Sequence, residues 1–239
     1  MSMSSEPFHY IGNELELFSE AKNWKQYVAA LITPWIKGDV LEVGAGIGTN
    51  TGLFYSSSVR SWLLLEPDQK FCKILESRLS EKLLPSICTV LNGYTSNIKK
   101  QEQFDTIIYI DVLEHIADDK AEMQTASRLL KKGGRLIILS PAHNFLMSPF
   151  DMAIGHYRRY SKKTLHALAD EALIPDKLIY ADTIGFFTVL ANKYFLKQKS
   201  PTIKQINFWD KWIIPVSRVI DPILFYSAGK SVIGIWTKK

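Results

Sequence analysis

The chain has 239 residues, of which 46% are hydrophobic and 22% charged, and a formal net charge of +5. This is enough apolar material for one large domain or one domain with appendages, and it excludes a disordered, collagen-like or disulfide-scaffold protein. No uncharged apolar run is long enough to span a bilayer, no Lys or Arg precedes Lys22 in the manner of a secretory signal, and Cys72 and Cys88 sit in no CxxC or nucleophile pattern, so a reducing, cytoplasmic setting is expected.

Residues 14–33 place Leu15, Leu17, Phe18, Ala21, Trp24, Tyr27, Val28 and Leu31 at helical spacing, which predicts an amphipathic helix ended by Pro34 and Gly38. Asp39–Val43 reads as a strand running straight into Gly44-Ala45-Gly46-Ile47-Gly48-Thr49. Trp62–Leu65 predicts a second strand, Asp68–Glu81 a helix and Ile87–Leu91 a third strand. Asp105–Ile110 (DTIIYI) reads as an apolar run, uninterrupted from Ile107 on, as expected of a strand covered on both faces. Ala117–Lys131 predicts a helix stopped at Gly133-Gly134, and Arg135–Ser140 a fifth strand. Such alternation builds right-handed βαβ units, hence a parallel sheet with helices on both faces. Ser161–Glu171 predicts a helix with Ser161 as N-cap, and Lys177–Ala181 and Val232–Thr237 two more strands. The stretch of about 50 residues between those strands is too long for a plain loop and should contain helices of its own.

Gly44, Gly46 and Gly48 follow a strand and open a helix, where glycine permits a tight turn and close approach of a ligand to the backbone. Glu66, 18 residues past Gly48 and followed by Pro67, sits at the tip of the second strand, where a carboxylate can accept hydrogen bonds from both hydroxyls of a ribose. A dinucleotide fold wants GxGxxG, but its third glycine or alanine would fall on Thr49, and the spacing here is GxGxG. In Leu41-Glu42-Val43-Gly44-Ala45-Gly46-Ile47-Gly48 the chain resembles the class I S-adenosylmethionine-dependent methyltransferases. The resemblance implies a Rossmann-like α/β fold. Its doubly wound sheet would have seven strands, mostly parallel with the last antiparallel, plus an N-terminal helix and a helical insertion before the last strand. It also implies S-adenosyl-L-methionine as cofactor and S-adenosyl-L-homocysteine as product. By position, Glu42 would help hold the methionine ammonium and Glu66 the ribose, with Ala45, Thr49 and Pro67 beside them. Many relatives carry a carboxylate for the adenine amino group after strand three. This chain has Leu91-Asn92-Gly93-Tyr94, which leaves Asn92 or the backbone near Tyr94 for that role and the Tyr94 ring for stacking.

Strand four ends in Asp111-Val112-Leu113-Glu114-His115-Ile116, beyond the carboxyl end of the sheet where open α/β folds bind ligands. The stretch is similar to the ubiquinone-type O-methyltransferases at Leu-Glu-His, which implies that Ile110, Asp111 and His115 lie against the cofactor. If the segment opens a helix, Asp111, Glu114 and His115 share one face and suit a divalent metal, as in some of those relatives. The reading preferred here has no metal: Asp111 and Glu114 are helix-start charges and His115 packs under the cofactor.

After strand five, Pro141-Ala142-His143 and residues 151–160 form a long polar and aromatic connection beside the expected crevice. Gly155-His156-Tyr157-Arg158-Arg159-Tyr160 resembles a methyltransferase subgroup marked by Gly-His-x-Arg-Arg-Tyr and associated with glycan or lipid-linked sugar assembly, and the Tyr10-to-Trp24 region fits the same subgroup. Methyl transfer needs alignment of donor and acceptor and, for a hydroxyl acceptor, a base. His156, His143 and Glu114 are the candidate catalytic groups, and Tyr10, Trp24, Tyr157, Arg158, Arg159 and Tyr160 the candidate substrate contacts.

The end of the chain is basic, with nine Lys or Arg from Lys193 onward against Asp210 and Asp221. Its aromatics and lysines fit a lid over an acceptor pocket, or an amphipathic surface that touches a membrane. No recognised nucleic-acid element accompanies them. The expected organisation is an N-terminal cap helix region (1–38), a cofactor-binding core (39–182), a helical lid (183–230) and a last core strand (231–239). The expected activity is methyl transfer to a small molecule or lipid-linked glycan, at oxygen. Two rivals are a nicotinamide-dependent oxidoreductase, opposed by Thr49, and a non-catalytic cofactor-binding module acting as a membrane or protein partner.

Overall fold

The structure is a computed structural model and describes residues 20–99, 101–196 and 201–239. Seven strands form one sheet: β1 (Gly38–Val43), β2 (Val59–Glu66), β3 (Cys88–Asn92), β4 (Phe104–Ile110), β5 (Leu130–Pro141), β6 (Leu173–Ala181) and β7 (Ser231–Lys238). Their order is β3-β2-β1-β4-β5-β7-β6. The first five run parallel, and β7 is antiparallel to both β5 and β6. Alternate residues of each strand feed opposite cores. Val40, Trp62, Leu64, Ile108, Ile137 and Ile235 pack on one face, and Leu41, Leu65, Ile107, Tyr109, Leu136 and Ile138 on the other. Strand order reverses between β1 and β4, so a crevice opens where the chain leaves their carboxyl ends.

Helices α1 (Lys22–Ile32), α2 (Thr51–Phe54), α3 (Gln69–Ser80), α4 (Asp119–Leu129), α5 (Pro149–Ala153) and α6 (Lys162–Ala167) connect or cover the strands. The part of the predicted first helix before residue 20 lies outside the described residues; from Lys22 onward Trp24, Tyr27, Val28, Leu31 and Ile32 are its buried face. Two expectations shift. Helix α4 ends at Leu129 rather than at the glycine pair, because Leu130 already pairs with Phe104, and Gly133-Gly134 lie within the extended stretch of β5. Helix α6 is shorter than predicted: Ser161 caps it as expected, but the chain turns at Asp170 and enters β6 at Leu173. Strand β6 is at the sheet edge, where Pro175 costs no ladder bond that the sheet interior would need.

Between β6 and β7 lie α7 (Thr183–Ala191), α8 (Ile203–Phe208) and α9 (Ile214–Ile223), with wide π-type turns at Asn192–Leu196 and Trp209–Ile213. No helix among the described residues is long and apolar enough to cross a membrane. Buried acids fasten this helical segment to the core. Asp210 accepts from the backbone N–H of Asn23 (3.1 Å) and of Trp24 (2.8 Å) at the start of α1. Asp221 accepts from the Tyr27 hydroxyl (2.6 Å) and from the N–H groups of Asp182 (2.7 Å) and Thr183 (2.9 Å). Asp182 accepts in turn from Trp209 Nε1 (2.7 Å), Ser217 Oγ (2.6 Å) and Gly185 N–H (2.9 Å). A carboxylate in a dry interior is tolerated only when so completely bonded. Asp221→Ala strands three donors and should cost roughly 3–5 kcal/mol in urea unfolding. A loss below about 1 kcal/mol would show that the segment is held by apolar packing instead.

Candidate active site

The turn after β1 is built from left-handed backbone, with φ of 66° at Gly44, 57° at Gly46 and 73° at Gly48. A Cβ on Gly44 would come 2.6 Å from Val112, and one on Gly48 2.8 Å from Leu75, so two of the glycines let the loop seat against its neighbours. The third supplies a donor: Gly46 N–H bonds Glu66 Oε2 at 2.8 Å. Glu66 Oε1 accepts from Asp68 N–H at 2.9 Å. Burial raises the Glu66 pKa, and these two bonds oppose the rise. A carboxylate offers about four acceptor directions, so this one can still receive two hydroxyls.

The loop opens into a cavity of about 980 Å³, at the upper end of the usual range for small-molecule sites. It runs from Glu66, Pro67 and Tyr94 past Ala45, Gly46 and Thr49 to Asp111, Glu114, His115 and His156, and is walled beyond them by Trp24, Trp209 and Lys230. Asp111 leaves β4 in a left-handed conformation (φ 53°), sparsely populated for a residue with a side chain. Its carboxylate makes no hydrogen bond among the described residues and stands in the cavity. Desolvation lifts its pKa to about 6, and the nearby His156 and Lys230 limit the rise.

Leu113–His115 form a single tight turn rather than the start of a long helix. The predicted face of Asp111, Glu114 and His115 therefore does not form. The structure instead brings Glu114, His115 and His156 together, with one ligand atom of each within 4.8 Å of the others. Two imidazoles and a carboxylate fit a divalent cation by donor type. Glu114 is fully buried, accepts from Ser140 Oγ at 3.0 Å, and has Oε1 3.9 Å from His156 Nε2. Burial, then the Asp111 charge, holds it protonated well above the ordinary carboxyl range. Burial and the neighbouring His156 push His115 down to about 4, so it is neutral. His156 Nδ1 lies 3.2 Å from Asp151 Oδ1. Burial works against ionisation of Asp151, but His156, Arg159 and Ser148 outweigh it and keep that carboxyl below its usual range.

The remaining predicted residues separate into two groups. Gly44, Ile110 and Arg159 line the cavity. Arg159 is committed there to Asp151, with both carboxylate oxygens 2.8 Å from its NH2 nitrogen. The others point elsewhere. Val43 takes the cavity side of β1, and period-two alternation sends Glu42 into the core, where it accepts from Thr51 Oγ1 (2.8 Å) and Trp62 Nε1 (2.9 Å). Gly48 packs on Leu75, and Asn92 Nδ2 donates to the Glu66 and Pro67 carbonyls (3.0 Å each), pinning the turn after β2. His143 sits in an aromatic cluster with its ring centroid 4.6 Å from Tyr180 and 5.1 Å from Phe186, away from the cavity. Arg158 pairs with Asp119 (2.6 Å), Tyr160 donates to the same carboxylate (2.7 Å), and Tyr157 is exposed on the outside. Tyr10 lies outside the described residues. Sequence reading missed Gly93, Thr95, Trp209 and Lys230 as lining residues. Lys230 Nζ lies 3.4 Å above the Trp209 ring and 3.6 Å from Asp182 Oδ2, and burial lowers its pKa.

The inward turn of Glu42 has a measurable consequence. Burial pushes its pKa to about 7. An acid whose folded pKa lies above its unfolded value loses stability as pH rises between the two, here from about 4.5 to about 7. Glu42→Gln keeps an acceptor for Thr51 and Trp62 and removes that slope. The variant should gain on the native chain by up to about 3 kcal/mol between pH 5 and pH 8 in denaturant unfolding. A pH-independent difference would place Glu42 in solvent or against a cation.

Three solved structures share the architecture across almost the whole chain. An S-adenosylmethionine-dependent methyltransferase from Clostridium acetobutylicum ATCC 824 is 11% identical with a TM-score of 0.58, over 95% of this chain and 96% of that one. The N-methyltransferase NodS from Bradyrhizobium japonicum WM9, in complex with S-adenosyl-L-homocysteine, is 11% identical with a TM-score of 0.56, over 92% and 87%. The [4+2]-cyclase SpnF is 14% identical with a TM-score of 0.63, over 95% and 94%. At such identities the likeness is one of fold, and the fold hosts more than one chemistry. A sequence model described as a methyltransferase domain matches residues 16–172, and with most of the chain so matched, the chain belongs to that methyltransferase-domain family.

Proposed function

We propose that the chain transfers the methyl group of S-adenosyl-L-methionine to a hydroxyl oxygen of a small molecule or glycan. The observation that carries this reading is the continuity of one cavity from Glu66 to His156. The nucleoside end belongs at Glu66, whose remaining acceptor positions suit the ribose hydroxyls, with Gly93, Tyr94 and Thr95 beside the base. The amino-acid end lies along the glycine loop, where Asp111 offers a free carboxylate to an ammonium group. Beyond Asp111 the walls change to Trp24, Trp209 and Lys230, which leaves room for a second, partly apolar molecule.

In the transfer, the acceptor oxygen attacks the methyl carbon while the carbon–sulfur bond breaks and its electron pair returns to sulfur. The departing thioether is neutral and needs no acid. The acceptor proton needs a destination, and our assignment is His156, which lines the cavity. Its Nδ1 lies 3.2 Å from Asp151, whose charge would stabilise the cation that forms, and its Nε2 lies 3.9 Å from the Glu114 carboxyl. Arg159 fixes Asp151 from the far side.

The two halves of the site are separable by mutation. Glu66→Ala should weaken binding of S-adenosyl-L-homocysteine by roughly 10- to 100-fold in calorimetry, the loss of two charge-assisted hydrogen bonds. His156→Ala should leave that affinity within about twofold and slow methyl transfer from labelled donor to a responsive sugar or phenol by roughly 10²–10⁴-fold. Equal loss of affinity in both variants would refute the division. Unchanged turnover in His156→Ala would leave alignment alone as the catalytic device.

A further inference from the structure

We infer that the outer face of the segment from Ile203 to Phe225 docks on an anionic lipid bilayer. The inward face of this segment is Ile206, Trp209, Asp210, Ile214, Ser217 and Asp221, which recur at helical spacing and are buried against the core. The opposite face carries Phe208, Trp212, Val216, Val219 and Ile223, all exposed, and the chain then turns through Phe225, which is 88% exposed. Alongside this stripe Lys204, Lys211 and Arg218 recur every seven residues, exposed and without an ion pair among the described residues. Lys193, also exposed, lies beside Phe145 and Tyr194, two further exposed rings, at the edge of the same helical segment.

Charge decides the occupant. Between residues 201 and 230 the acids are Asp210 and Asp221, and both are turned inward to cap α1 and α7. What faces outward is therefore apolar, aromatic and cationic, the composition of a helix that lies in a bilayer interface with cations at the phosphate level. A second copy seated on this face about a two-fold axis would set the three cations against their own counterparts, with no acid from this segment to answer them. The stripe also reaches the site already described: Lys204 and Phe208 belong both to the outer face and to the cavity wall. The cavity rim would then sit at the lipid surface, and an acceptor carried by a lipid could enter without leaving it.

The test is flotation of the full chain with vesicles of phosphatidylcholine alone and with about 30 mol % phosphatidylglycerol. Trp212 is the one exposed tryptophan of the six, so a blue shift of emission on vesicles reports on this face. We expect at least tenfold stronger binding to the anionic vesicles, weakened by salt, with a blue shift that Trp212→Phe abolishes while flotation persists. Val219→Asp with Ile223→Asp, and separately Lys211 and Arg218 both changed to Ser, should each reduce binding at least tenfold while circular dichroism and S-adenosyl-L-homocysteine affinity stay native. Three results would overturn the inference: absence from anionic vesicles, flotation indifferent to both sets of variants, or self-association that shields Trp212 without lipid. The cofactor measurement on the same samples separates failure of this surface from failure of the methyl-transfer reading.

Discussion

One hydrogen bond organises the crevice: Gly46 N–H to Glu66 Oε2, 2.8 Å long. It ties the loop after β1 to the tip of β2, across strands that are already parallel neighbours. The loop can reach that position only because its glycines adopt left-handed backbone and two of them accept side chains where a Cβ would collide. Glu66 thus fixes the loop with one acceptor position and its own turn, through Asp68 N–H, with another, and keeps the others for a ligand. The second wall follows from the sheet order. Since β4 lies on the other side of β1, its end delivers Asp111 and the tight turn with Glu114 and His115 opposite the glycine loop.

The polar groups around this crevice are arranged in two depths. Inside, Asp151 is the hub: it accepts from Ser148 and Arg159 and stands 3.2 Å from His156 Nδ1, and so converts a long loop after β5 into a fixed support beside one imidazole. The Gly-His-x-Arg-Arg-Tyr run is mostly spent on such bracing, with Arg158 and Tyr160 both fastened to Asp119. Farther out, Asp182, Asp210 and Asp221 hold the helical segment over the cavity mouth. Using its acids as anchors is what leaves the outside of that segment cationic and greasy.

The parts of this architecture that rest on local signals were legible in the sequence. Strand–glycine–helix punctuation, the continuous apolar β4 and the carboxylate at the tip of β2 each identify themselves within a few residues. Glu42 shows the limit of motif reading: strand alternation, with Val43 facing the cavity, sends it to the core, whatever its place in the motif implies. His143, Arg158 and Tyr160 carry suitable chemistry, but their partners lie up to 47 residues away in the chain, and those contacts turn them from the cavity. Lys230 and Trp209 reach the site from the far end of the chain through packing that no short pattern encodes. The metal-type cluster changed membership for the same reason, since Asp111 is diverted by its left-handed backbone and His156 arrives from another loop.

The central claim is that this crevice holds a sulfonium nucleoside in one orientation, and a crystal structure of the chain with S-adenosyl-L-homocysteine addresses it directly. The account predicts both ribose hydroxyls on the Glu66 carboxylate, the amino-acid end along Gly44–Gly46, and the sulfur directed toward the space between Asp111 and His156. A ligand bound in the reverse direction, or one seated outside the Glu66 crevice, would contradict it.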